Sequence, residues 1–170
     1  MKLTRNIIIL LAGLALAACT DPSRFGGNGA GGAGGAGGAV VPGSANDPTS
    51  TAYFNQTIGD RVLFAVDQSN ITDEGRLVLD GQATWLLNNT DYTAVIEGHA
   101  DEQGTREYNV ALGARRANAV REYLVSRGVA GNRLQTVSYG KERPIEICSS
   151  EACYAKNRRA VTVLAGGLTG

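Results

Sequence analysis

The chain has 170 residues, in which 16 lysines and arginines balance 16 aspartates and glutamates. Without a basic excess there is no electrostatic footprint for nucleic acid, so that class of partner is excluded. With Cys19 set aside for the signal read below, two cysteines and one distant histidine, His99, fall short of a zinc ligand set, and no cofactor is expected. Residues 1–18 read as a secretory signal, with Lys2 and Arg5 ahead of an apolar run from Ile7 to Ala18. That run is shorter than the ~20 residues a membrane span needs, and it ends in small residues.

Leu16-Ala17-Ala18-Cys19 resembles a bacterial lipobox, whose cysteine is acylated and becomes the mature N-terminus. An uncleaved anchor or an ordinary cleaved signal are the alternatives, but neither accounts for a cysteine at that one place. One acyl chain binds a membrane only marginally, whereas the lipobox resemblance implies more than one and therefore a firm anchor. Thr20 follows the cysteine where many inner-membrane lipoproteins have Asp, which points to the outer membrane, although Asp21 is next. Loss of Lys2 and Arg5 leaves 14 basic against 16 acidic residues, a net charge of −2.

Residues 19–52 form the lipidated N-terminus and a Gly/Ala-rich linker, almost pure Gly and Ala from Gly26 to Ala39. Neither a phosphate-binding loop nor a collagen repeat fits it. As a flexible coil it reaches about 30 Å, and fully stretched on the order of 110 Å. Residues 53–170 hold one domain of alternating strands and helices. Arg61 to Val66 reads as a strand. Thr72 caps a helix that carries Asp73 and Glu74 in its first turn, buries Leu79, Ala83, Leu86 and Leu87, and ends near Asn88 and Asn89. Gly81 weakens it by about 1 kcal/mol.

Thr93 to Gly98 reads as a second strand. Gly104 and Thr105 open a long helix that ends near Arg127, with Gly128 just beyond. Leu134 to Tyr139 is a third strand, Glu151 to Asn157 a short helix and Ala160 to Ala165 a fourth strand. The predicted fold is therefore α/β, with helices packed on one mixed sheet of about four strands. Cys148 and Cys153, an even pair in an oxidising compartment, are a disulfide candidate. Tyr53 and Trp85 are expected to pack in the core.

The long helix holds a conflict. Asn109, Leu112, Arg116, Val120 and Leu124 fall on one stripe at i+3 and i+4 spacing, which should face the sheet. Arg115 and Arg121 point elsewhere and can be solvated. Arg116 keeps its charge, and burying that charge unpaired is very costly. It must meet a buried carboxylate or open into a pocket. Asp101 is the carboxylate at hand, although roughly 16 Å of helix separates Thr105 from Arg116. Either the two support the loop directly, or they flank a pocket for a ligand carrying both an ammonium and a carboxylate. Spacing alone does not choose. Among other polar residues, His99 is expected to hydrogen-bond within its loop, and Arg158 and Arg159 to begin the last strand as solvated charges.

The run Gly98-His99-Ala100-Asp101-Glu102-Gln103-Gly104-Thr105-Arg106-Glu107-Tyr108-Asn109 continues through Leu112, Arg115-Arg116-Ala117, Val120 and Leu124. With Ser138 to Pro144 and Asn157 to Val161, in that order, it resembles the outer-membrane-protein-A-like domain family, in the form carried by peptidoglycan-associated lipoproteins. The resemblance spans roughly Val62 to Leu164. It implies a non-enzymatic wall binder in which Asp101 and Arg116 hold the free amino-acid end of diaminopimelate in the peptidoglycan stem peptide. Asn109 and Leu112 would shape that pocket, and Asp67, with Ser69, would close it from the loop after the first strand. It also implies a second partner, a TolB-like periplasmic β-propeller, competing for an overlapping surface. Two positions depart from the common pattern: Phe64-Ala65-Val66-Asp67 keeps one of two usual acids, and Gln103 stands where Arg is frequent.

Two other functions are open to the same sequence. A wall hydrolase needs two opposed carboxylates, for which Glu97 and Asp101 are the only nearby pair. A stator-like wall anchor needs a membrane helix where this chain has a lipobox.

Overall fold

The computed structural model describes residues 40–166. The signal segment, Cys19 and the linker as far as Ala39 lie outside the described residues. Four strands form one mixed sheet in the order β1-β4-β2-β3. They are β1 (Arg61–Leu63), β2 (Tyr92–His99), β3 (Leu134–Gly140) and β4 (Arg159–Gly166). The β4 strand runs antiparallel to both β1 and β2, whereas β3 is parallel to β2. A parallel neighbour requires a crossover, and the long helix α3 (Arg106–Ser126) supplies it.

The α/β architecture is the predicted one. Helices α2 (Asp73–Asn88) and α3 lay Leu79, Ala83, Leu86, Ala117, Val120 and Leu124 against Val62, Ala94, Ile96 and Ala160 of the sheet. Along β2, Ala94, Ile96 and Gly98 are buried while the residues between them are not, as expected of a sheet covered on one face. Thr72 and Thr105 cap the two helices by accepting from the backbone N–H groups of Gly75 and Tyr108. Gly128, at φ 100°, ends α3, with its N–H on Val125 O and that of Val129 on Leu124 O. Leu87 departs from the predicted helix stripe: it is 44% exposed.

Ordered packing begins ahead of Tyr53. Ser50 caps one helical turn, α1 (Thr51–Tyr53), which widens into a π-helical stretch over Phe54–Gly59. This segment drives Phe54 fully into the core against Trp85, whose Nε1 donates to Pro48 O at 2.7 Å. Trp85 and Tyr53 pack as expected.

The first strand is shorter than the apolar run suggests. Pairing with β4 stops at Leu63, and Phe64 adds one further hydrogen bond to Arg158 O. Beyond it the carbonyls of Phe64, Ala65 and Gln68 accept from buried arginine side chains instead of from a neighbouring strand. Asp67 there has φ 58°, a conformation that rarely suits a non-glycine residue.

Cys148 and Cys153 are joined in a disulfide, with Cα atoms 5.9 Å apart. It clips the loop before β4 to the first turn of α4 (Glu151–Asn157). Closing so short a loop contributes about 2 kcal/mol through the unfolded chain.

Candidate functional site

Two glycines set where the site stands. A Cβ on Gly98 of β2 would lie 1.8 Å from Gly113 O, and one on Gly113 would lie 2.4 Å from Ser138 Oγ. The backbone of α3 therefore rests directly on β2 and β3. That contact brings Asn109, Leu112 and Arg116 over the C-terminal end of β2, where the loop carrying Asp101 begins.

A pocket of about 260 Å³ opens at this end. Val66 and Asp67 line it from the loop after β1, Asp101, Gln103 and Gly104 from the loop after β2, and Tyr108, Asn109 and Leu112 from α3. Four of the sequence-predicted residues, Asp67, Asp101, Asn109 and Leu112, thus share one cavity. Asn109 is buried, and its Nδ2 donates to Gln103 O at 2.8 Å, which fixes the loop. The Tyr108 hydroxyl donates to Asp67 Oδ1 across the pocket mouth. Ser69 is not part of this pocket; it lines a separate depression with Asn70, Arg76 and Glu122.

Arg116 departs from both expected arrangements. It is completely buried, yet it neither pairs directly with Asp101 nor lines the pocket. Its Nη1 donates to His99 O at 2.7 Å, its Nε to Gln68 O at 2.8 Å and its Nη2 to Ala65 O at 3.2 Å. The guanidinium also lies 5.1 Å from the centre of the Phe64 ring. Three backbone carbonyls solve the burial problem that the sequence posed, and two of the five N–H donors are left over. Burial pulls its pKa down to about 10, opposed by the charge of Asp101, so it stays protonated at neutral pH.

Asp101 pairs instead with Arg158, whose Nη1 donates to Oδ2 at 3.1 Å, while the Gln103 N–H donates to Oδ1 at 3.2 Å. Arg158 and Arg159 are both buried, which corrects their reading as solvated charges. Arg158 also donates to Phe64 O and to Glu151, and Arg159 to Asn157 O and Arg143 O. The loop between β3 and β4 covers this stretch, so both neighbours find acceptors indoors. Arg121, likewise expected in solvent, donates to Leu134 O and Gly131 O.

His99 carries a second correction. Its backbone carbonyl serves Arg116, but its ring has no hydrogen-bond partner among the described residues. The ring is 1% exposed, stacks on Tyr139 at 5.6 Å, and lies 3.5 Å from Glu97 without hydrogen-bonding geometry. Burial, then the charges of Arg159 and Arg143, lower its pKa to about 4. A depressed histidine pKa favours the neutral folded form, so its contribution is fully present above about pH 6.5. It is lost as pH falls towards 4, at a cost approaching about 3 kcal/mol. Urea midpoints measured between pH 7 and 4 should fall more steeply for the native chain than for His99→Gln. Parallel curves would contradict this.

An OmpA-type α/β domain with an acidic pocket at the crossover helix is the class that this geometry defines. The OmpA family model matches residues 63–158, and the chain belongs to that family. A peptidoglycan-associated lipoprotein of Rhizobium meliloti is 51% identical over 160 residues, covering 94% of this chain and 87% of that protein. The protein of the same name from Haemophilus influenzae is 38% identical over 94% of this chain and 97% of its own length. Among solved structures, the peptidoglycan-associated lipoprotein of Burkholderia pseudomallei aligns with a TM-score of 0.64 and 37% identity, covering 71% of this chain and 98% of that one. The C-terminal domain of Helicobacter pylori MotB aligns with a TM-score of 0.60 at 23% identity, over 64% of this chain and 86% of that one, a likeness of fold alone. This chain is thus a homologue of the peptidoglycan-associated lipoproteins, which are non-enzymatic, and the hydrolase reading falls away.

Proposed function

We propose that this chain is an outer-membrane lipoprotein, anchored through Cys19, that grips peptidoglycan without catalysis. The gripped group is the diaminopimelate of the stem peptide. The Gly/Ala linker then joins the two layers as a tether, within the Tol–Pal system and alongside a TolB-like β-propeller. The observation that carries the reading is the clustering of Asp67, Asp101, Asn109 and Leu112 around one pocket with Arg116 next to it. The carboxylates of Asp67 and Asp101 attract an ammonium, and Leu112 packs its alkyl stem.

Arg116 supplies the opposite charge for the ligand carboxylate. Its guanidinium is sealed, so that carboxylate must use a spare N–H or take the place of one loop carbonyl. Ala65 O is the longest of the three contacts, at 3.2 Å, and it stands on the loop that carries Asp67. Binding therefore couples the pocket to a small movement of residues 65–68. The test is a pull-down on purified sacculi containing diaminopimelate. Free diaminopimelate in millimolar excess should release the protein, whereas Nα-acetyl-lysine methylamide, whose free end is an ammonium with no carboxylate beside it, should release little. Equal retention under both competitors would contradict the reading.

A further inference from the structure

The carboxylate of Asp101 is held by something other than its own loop. Arg158, 5% exposed, spans three segments at once: Nε to Phe64 O at 3.2 Å, Nη1 to Asp101 Oδ2 at 3.1 Å, and Nη2 to Glu151. Glu151 is the first residue of α4 and Arg158 is its C-cap, so the arginine reaches back along the whole helix. The three segments are the loop that carries Asp67, the loop that carries Asp101, and the helix clipped by the disulfide.

The charges around the pocket support more than scaffolding. Two buried guanidiniums, Arg116 and Arg158, face Asp67, Asp101 and Glu151, for a net of −1. Without Glu151 the group is neutral, and Asp101 alone would answer Arg158. With Glu151 in place, Arg158 has its own counter-charge, and Asp101 keeps lone pairs for a further donor. A fork whose N–H groups point in fixed directions suits this task, whereas a lysine ammonium cannot span three acceptors so placed.

We infer that Arg158 is a positioning residue that aims the Asp101 carboxylate into the pocket, with Glu151 as its counter-charge. The inference rests on the peptidoglycan-binding reading above. It is tested by titrating sacculi with the full chain and with Asp101→Asn, Arg158→Gln, Arg158→Lys and Glu151→Gln, and by melting each preparation. Arg158→Gln should weaken binding about tenfold when Asp101 is present and less than twofold in the Asp101→Asn background, because it acts through that carboxylate. Arg158→Lys should recover part of the loss. Glu151→Gln, whose native side chain is 67% exposed, should melt normally and still bind about threefold more weakly. Should Arg158→Gln fail to fold, the Glu151→Gln result decides alone. Losses that simply add in the double variant, or normal binding by folded Glu151→Gln, would overturn the positioning role while leaving the pocket intact. Normal binding by Asp101→Asn would instead remove the pocket reading itself, and this inference with it.

Discussion

Arg116→Ala is expected to melt about 15 °C below the native protein and to lose wall binding as well. The substitution strands the buried carbonyl of His99 and leaves those of Gln68 and Ala65, which belong to exposed residues, to water. A buried acceptor left without its partner costs about 1–3 kcal/mol. The side chain also leaves a void beside Phe64. Relief from burying a charge offsets part of this, so a net loss of about 3–5 kcal/mol is the expectation. For a domain of this size that corresponds to the melting shift given. Arg116→Lys should recover less than half, since one ammonium cannot reach three carbonyls along the directions of a guanidinium fork. A differential scan of the three proteins decides the matter. An alanine variant melting within 3 °C of native would mean that the carbonyl contacts contribute little.

Gly98→Ala should have the larger effect, with no cooperative unfolding transition at all. The added methyl carbon would sit 1.8 Å from Gly113 O, a backbone atom of α3 that cannot rotate away. Overpacking against mobile side chains costs about 1–3 kcal/mol, and here the whole helix must lift from β2 and β3. Gly113→Ala meets Ser138 Oγ at 2.4 Å and Gly98 O at 2.8 Å and should behave similarly. Near-UV circular dichroism and thermal melts provide the readout. A native-like melt for Gly98→Ala would show that the helix can shift without loss of the fold.

Some of the site was legible because its residues break a local pattern. Arg116 stands on an apolar helix stripe, so its need for partners was visible, and Asp101, Asn109 and Leu112 followed from the motif around it. The partners themselves were not legible, because backbone carbonyls carry no residue identity. Any sequence could have supplied the oxygens of Ala65, Gln68 and His99. The early end of β1 has the same origin: Phe64-Ala65-Val66 looks like strand until its carbonyls are claimed by arginines about 50 and 90 residues away.

Arg158 and Arg159 were misread for a different reason. They stand where α4 ends and β4 begins, and a pair of charges at the start of a strand reads as solvent-facing unless a covering loop is known. The loop between β3 and β4 covers that end of the sheet, and nothing in the periodicity of β4 announces it. The turn over Thr51–Tyr53 was too short for a helical period to emerge, although Ser50 is a good cap and Phe54 a clear core residue. The helices α2 and α3, long and capped, were the easiest elements to read.

The most direct test of the account is the affinity of Asp101→Asn for diaminopimelate-containing sacculi, measured on the same preparation as its melting temperature. The substitution keeps size and shape while removing the charge offered to an ammonium. The account predicts a melting temperature within a few degrees of native and wall binding weaker by about thirtyfold or more. Native affinity in a folded Asp101→Asn protein would contradict it.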